Sequence, residues 1–394
     1  MIKKIIPNII LLIISLMFGF LLAEIIIRIL PPKITGLYKS VTYIPDKDTG
    51  FKRPSMIQTI NESQCFSVKV STNSKGFRDI EWDESQKGGV AILGDSFMEA
   101  IQVNDNQTTA SIVRDVLGIK VINTGISSYG TISQIETYKK YIKHQEPDIV
   151  SLFFYKNDIN DNDCKNNIGS NNTVTKSCAN LNENNELLIN KNFYRAYGSS
   201  DLKLFIKKYC QTCILVKKGF NILKISNQIN NIEPINNQEN TDFKKDKSWL
   251  ITENALNILK NIIENDKSKF LIILIPSDKN TDEQIEKMFI DLNIKYIKLE
   301  EIFNKYTQLH NLSDPKYSYS CDGHWNPLGH YLSANVLAEF IIKETNLISN
   351  QYKDEKIKII NENLSKNPKE ILGENNYNII YKNTSQYNNN TIKL

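Results

Sequence analysis

Four histidines stand in the 394-residue chain, at 144, 310, 324 and 330, so any imidazole-dependent chemistry must choose among them. His324 lies in Cys321-Asp322-Gly323-His324-Trp325-Asn326-Pro327, a loop leading into an apolar helical run. His144 ends a helical stretch beside Gln145-Glu146, His310 sits among polar residues, and His330 falls within the run after Pro327. Imidazole titrates near neutrality and can take the proton of a hydroxyl, which is a weak nucleophile without such a base. A suitable hydroxyl is that of Ser96, in Gly94-Asp95-Ser96-Phe97, directly after the apolar run Val90-Ala91-Ile92-Leu93. A Ser at the carboxyl end of a strand stands where open α/β sheets bind ligands, with backbone N–H groups nearby to stabilise an oxyanion. Alone, Gly-Asp-Ser is an ordinary turn, because Asp and Ser favour turns. Three more blocks follow in order: Asn123-Thr124-Gly125 and Lys156-Asn157-Asp158, each after a short apolar run, and Asp322-Gly323-His324 before the last apolar helix.

Periodicity indicates the elements that must position these blocks. Short apolar runs at 90–93, 120–123, 148–155, 270–275 and 295–299 read as strands. Helical spacing is read over 106–117, 132–143, 252–265, 282–292 and about 327–343, the last with Pro near its first turn. Strands alternating with helices predict a parallel sheet covered by helices on both faces. Residues 32–85 read as a juxtamembrane segment of short strands, with turn signals at Asp48-Thr49-Gly50 and at 73–76. The main domain is assigned to 86–348. An Asn/Lys-rich insertion at about 160–248 interrupts it, holds four of the six cysteines, and is of the kind that forms a lid. Residues 349–394 form a polar, Asn-rich tail, expected to be partly disordered.

Residues 9–23 are apolar except for Ser15, and the run continues past Glu24 and around Arg28 to Leu30. About 20 apolar residues match a bilayer's hydrocarbon thickness. Glu24 and Arg28 lie four apart, so they can pair on one helix turn. Lys3 and Lys4 precede the run and favour a cytoplasmic N-terminus, which would put the rest outside the cytoplasm. Residues 1–31 are therefore read as a transmembrane anchor; a cleaved signal peptide is the alternative, and no A-x-A-type site follows the run. Six cysteines, at 65, 164, 178, 210, 213 and 321, suit an extracytoplasmic, disulfide-permissive compartment. Their pairing is not deducible, though Cys164 with Cys178 is a plausible local staple, and Cys210 with Cys213 fits a structural bridge better than a redox or zinc site. The charge is balanced, 48 basic against 44 acidic residues with only five Arg, which disfavours nucleic-acid binding.

Taken together, the four blocks and the upstream Asn73-Ser74-Lys75-Gly76-Phe77-Arg78 resemble the SGNH/GDSL hydrolase family, in particular its membrane-anchored bacterial members. The resemblance covers about 70–350, apart from much of 160–248. It implies a three-layer α/β/α sandwich with Ser96 as nucleophile, His324 as general base and Asp322 as the acid that orients it. It further implies an oxyanion hole from the Ser96 and Gly125 N–H groups and the Asn157 side chain. Two departures from the family's pattern stand out. Tyr155 occupies a position where Gly is usual, which would narrow the acyl pocket. One residue instead of two separates Asp322 from His324; in an extended loop such residues point to the same side.

The expected activity is that of an anchored, extracytoplasmic serine esterase or O-acyltransferase. Its partners would be ester substrates, with O-acetyl groups of a surface glycan foremost, and for transfer a membrane acyl-donor partner. A non-catalytic glycan-binding or assembly protein of the same fold is the contrasting reading. No cofactor is expected, since neither G-x-G-x-x-G nor G-x-x-x-x-G-K-[ST] occurs. A metal site from Asp322, His324 and His330 is disfavoured by the absence of H-x-x-x-H spacing.

Overall fold

The computed structural model describes residues 2–30, 41–168, 173–193, 210, 212–216, 247–313 and 316–382. The chain folds as two units, residues 1–39 with 198–244, and residues 40–197 with 245–394. In the first unit, helix α1 (Ile2–Ile29) contains one stretch, Pro7–Ile29, long and apolar enough to cross a membrane. Glu24 and Arg28 pair across one turn at 2.9 Å, as their spacing requires. The Glu24 carboxylate also accepts hydrogen bonds from the Thr212 backbone N–H and hydroxyl, both at 2.8 Å, beside the Cys210–Cys213 disulfide.

The second unit is built on a parallel sheet of β1 (Val90–Leu93), β2 (Val121–Asn123), β3 (Ile149–Phe154), β4 (Lys269–Leu274) and β5 (Tyr296–Lys298). Its order is β2-β1-β3-β4-β5, with every neighbouring pair parallel. All of β1 and β3 is buried, because helices cover both faces and leave no room for polar alternation. Val90 and Ile92 face one core with α3 (Thr109–Leu117), α8 (Leu299–Leu309) and α9 (Pro327–Glu344). Ala91 and Leu93 face the other with α4 (Thr131–Thr137), α6 (Lys247–Asn265) and α7 (Lys279–Asp291). The second unit is thus a three-layer α/β/α sandwich. The chain reverses its direction of sheet growth between β1 and β3, the point outside the strands' carboxyl ends where open α/β sheets bind ligands.

The N-terminal segment of this unit adds two antiparallel hairpins, Ile44–Asp46 with Gly50–Lys52 and Gln58–Glu62 with Ser67–Ser71. Within the insertion, the Cys164–Cys178 disulfide and a hairpin of Cys178–Leu181 with Leu187–Asn190 are present; residues 194–209 and 217–246 of the expected lid lie outside the described residues. Beyond residue 349 the chain departs from expectation. Two helices, α10 (Asn350–Ser365) and α11 (Pro368–Tyr377), pack on α9 and bury Ile360 and Leu372. Their apolar residues are sparse, so polarity masks the face by which each is held. Residues 383–394 lie outside the description.

Candidate active site

β1 ends at Leu93 and the chain turns at Gly94 into the one-turn helix α2 (Ser96–Glu99). Asp95 caps that helix, its Oδ1 accepting the Phe97 N–H at 2.9 Å. Ser96 is therefore the first helical residue; its own N–H has no intrahelical acceptor, and none elsewhere among the described residues. The Ser96 hydroxyl lies 2.8 Å from His324 Nε2. On the other side of the ring, His324 Nδ1 bonds Asp322 Oδ1. With its Nδ1–H donating a hydrogen bond to the carboxylate, the neutral ring presents the Nε2 lone pair to the Ser96 O–H. The Asp–His spacing works by a different device from an extended loop. Gly323, at φ +84°, closes a tight turn in which Gly323 N–H donates to Tyr319 O at 2.7 Å and Tyr319 N–H to His324 O at 2.8 Å.

Burial by itself would push the His324 pKa down, but the hydrogen bond and charge of Asp322 outweigh it, and the ring titrates above the ordinary 6.5. Burial likewise opposes ionisation of Asp322, and the same partnership holds its carboxyl below the usual range. Protonation of His324 would remove the base. A profile of kcat/KM from about pH 5 to about pH 9 should therefore show an acid limb above 6.5. A limb at or below that value, or a rate still rising into acid, would contradict a base held by Asp322.

Gly125 and Asn157 reach the same edge. A Cβ at Gly125 would stand 2.5 Å from Glu99 N and from Met98 C, so only glycine lets the loop after β2 lie against α2. Its N–H donates to Asn123 Oδ1 at 3.1 Å. Asn157, the first residue of α5 (Asn157–Asn162) after β3, donates from Nδ2 to Asp95 Oδ2 at 3.0 Å and to Asp161 Oδ2 at 2.9 Å. Its buried Oδ1 has no partner. Of the three expected oxyanion donors, the N–H of Ser96 is the one not already given to a protein oxygen. Burial raises the pKa of Asp95, and burial followed by the Asp95 charge raises that of Asp158 well above the carboxylate range.

Phe97 lies at the centre of the aromatic surroundings, its ring 5.0 Å from Tyr155, 5.3 Å from His324 and 5.0 Å from Trp325. Tyr155 is half-buried beside the site, while Trp325 is core. His330 is buried, its Nδ1 3.0 Å from Thr109 Oγ1, and burial lowers its pKa to about 3, which keeps it neutral. His144 is exposed and His310 packs on Tyr306.

Several residues that build the site have no role assigned by the motifs. Glu99, on α2, accepts Arg53 Nη2 at 3.0 Å and the Ser127 N–H at 2.9 Å, tying the nucleophile helix to the loop of Gly125. Arg78, the last residue of the Asn73–Arg78 block, bonds Asp105 at 2.9 Å and the carbonyl of Glu99 at 3.3 Å. Lys176, in the Cys164–Cys178 loop, bonds Asp161 and the Ser128 carbonyl. One signal was available: three of the five arginines (Arg53, Arg78 and Arg114) lie in or beside the segments flanking the blocks.

No family model and no curated protein matches the chain. Solved structures do. An acetylxylan esterase from Geobacillus stearothermophilus, in a catalytic-mutant form, is 12% identical; the match covers 67% of this chain and 97% of that one, with TM-score 0.35. An acetyl xylan esterase, at 14% identity, covers 63% and 97% with TM-score 0.35. A lipase/acylhydrolase from Enterococcus faecalis, at 14%, covers 65% and 95% with TM-score 0.33. The chain is thus similar, over about two thirds of its length, to solved structures described as lipolytic enzymes and acetyl esterases.

Proposed function

We propose that the protein is a serine ester hydrolase or O-acyltransferase, held at a membrane by α1 with its catalytic unit outside the cytoplasm. Its substrates would be acyl esters, with O-acetyl groups of a surface glycan as the specific reading. The observation that carries this is the continuous contact from Ser96 Oγ to His324 Nε2, 2.8 Å, and on through Nδ1 to Asp322. The Ser96 oxygen attacks the ester carbonyl while His324 takes its proton. The charge developing on the carbonyl oxygen is met first by the Ser96 N–H. Asn157 contributes if one of its N–H groups turns from Asp95 or Asp161 to the oxyanion. Collapse expels the alcohol, protonated by His324, and leaves Ser96 acylated. Water then completes hydrolysis, and a sugar hydroxyl completes transfer; the same three side chains serve both. Half-buried Tyr155, packed on Phe97, favours a short acyl chain.

The full-length chain in detergent micelles should turn over p-nitrophenyl acetate faster than the octanoate. A fluorophosphonate should add once, at Ser96, by peptide mass spectrometry. Acetylated glycan, with and without an unacetylated acceptor, separates transfer from hydrolysis. Absence of both turnover and adduct would favour the non-catalytic binding protein.

A further inference from the structure

The loop that carries Asp322 and His324 is fastened to a hairpin that lies outside the sandwich. Cys321, immediately before Asp322, is disulfide-bonded to Cys65, 256 residues away, at the tip of the hairpin Gln58–Glu62 with Ser67–Ser71. Two further contacts join the same tip to the same loop. Ser63 Oγ lies 3.3 Å from Cys321 Sγ, and the rings of Phe66 and Tyr319 are 5.4 Å apart. Tyr319 in turn bonds the backbone of Gly323 and His324, so the hairpin tip touches the turn that brings acid and base together at Tyr319 and at Cys321. The hairpin is also anchored near its tip and at its base. Asn61 Nδ2 donates to the Ile101 carbonyl at 2.7 Å, and Ser71 Oγ bonds Asp105, in the segment that follows the Ser96 helix.

We infer that the Cys65–Cys321 disulfide is a positioning clamp: through the hairpin it ties the Asp322–His324 loop to the segment after Ser96, and so sets the Ser96–His324 contact. The two halves of the site come from opposite ends of the chain. The backbone pairing of Ser318 with Trp325 only closes the loop on itself; without the cross-link, the turn 319–324 is held to its surroundings by side-chain packing, a Gln102–Asp322 hydrogen bond and the His324–Ser96 contact itself. A displacement of about 1 Å in a catalytic group can cost about a hundredfold in rate. Cys321 is exposed, so a dithiol can reach the bond. Reduction takes two electrons and two protons from the dithiol, which leaves as its own disulfide, and frees both thiols.

This inference rests on the triad reading, which Ser96→Ala tests separately. The experiment compares full-length Cys65→Ser, Cys321→Ser and the double variant with the native chain, and with Cys210→Ser/Cys213→Ser, which removes a disulfide of the other unit, as a control. Rates are expressed per active site titrated with fluorophosphonate. Loss of the clamp should lower kcat on p-nitrophenyl acetate about 10- to 100-fold with KM within about threefold. The acid limb of kcat/KM should fall back toward the ordinary imidazole value as Asp322 loosens from His324. Brief dithiol treatment of folded native protein should reproduce both changes, and reoxidation should reverse them, which keeps the test open if a variant fails to fold. A bond serving stability alone would lower Tm and the titratable fraction while leaving kcat per site and the acid limb unchanged, and that result overturns the inference. Native kcat in the variants with an inactive Ser96→Ala would reject the clamp and keep the triad. Full activity in Ser96→Ala would reject the triad itself.

Discussion

Ser96→Ala and His324→Ala should each lower kcat on p-nitrophenyl acetate by at least about 10⁴-fold, and the double variant should be scarcely worse than either alone. The reason is geometric. The base has one substrate-side partner, the Ser96 hydroxyl at 2.8 Å, and the hydroxyl has one base, so removing either ends the same proton transfer. Neither change should unfold the protein. Both side chains are only partly buried, and the helix that starts at Ser96 is capped by Asp95, not by Ser96 itself. Steady-state rates together with Tm and fluorophosphonate labelling check the expectation: label lost in Ser96→Ala, strongly slowed in His324→Ala, and Tm near the native value. Loss of activity that is additive across the two sites would mean that they do not share a step.

The sheet was legible because its strands are apolar on both faces. Val90–Leu93 and Ile149–Phe154 carry no polar alternation except Ser151, and each runs straight into a turn bearing a chemistry-capable side chain. Once three such turns are put at the carboxyl edge of a parallel sheet, their convergence follows from topology. His324 was harder to place, since its approach depends on a turn closed by Gly323 and on a disulfide whose partner is 256 positions away. No periodicity reports either. α8 went unread for a different reason: it starts at Leu299, directly where β5 ends, with no Gly or Pro between them to mark the change. The state of Asn157 was not legible at all. Residue type gives it two N–H donors; only coordinates reveal that Asp95 and Asp161 already accept both.

Arg53→Met should be the most destabilising single change near the site, at about 3–5 kcal/mol, because it leaves the buried carboxylate of Glu99 without its directly bonded counter-charge. Arg53 and Glu99 side chains are 2% and 1% exposed, so water cannot take the arginine's place. Methionine keeps an apolar stem of similar length but loses the guanidinium contact with the Tyr43 ring, whose centroid lies 3.5 Å from Arg53 Cζ, so the change removes charge, hydrogen bonds and that contact together. The pH dependence identifies the cause. In the native protein, burial favours the neutral acid, yet the Arg53 charge and hydrogen bonds prevail and hold Glu99 below the ordinary 4.5. That contribution is present above 4.5 and is lost as pH falls through the lower folded value. Without Arg53, burial is opposed by more weakly placed partners, the Ser127 N–H and hydroxyl, the Tyr43 hydroxyl at 3.4 Å and the charge of Arg78, so the folded-state value moves upward, and where it passes 4.5 the sign reverses. The variant then binds a proton on folding, and its deficit against the native chain should shrink as pH is lowered from about 7 toward about 5. Glu99→Gln placed in the Arg53→Met background removes the stranded charge and still offers an acceptor to the Ser127 N–H, so it should restore part of the lost stability. Denaturant unfolding of the native chain and of both variants at two pH values measures this. A pH-independent deficit, or a double variant weaker than Arg53→Met, would mean that the arginine acts through its bond to the Val41 carbonyl and its packing, and that Glu99 needs no counter-charge.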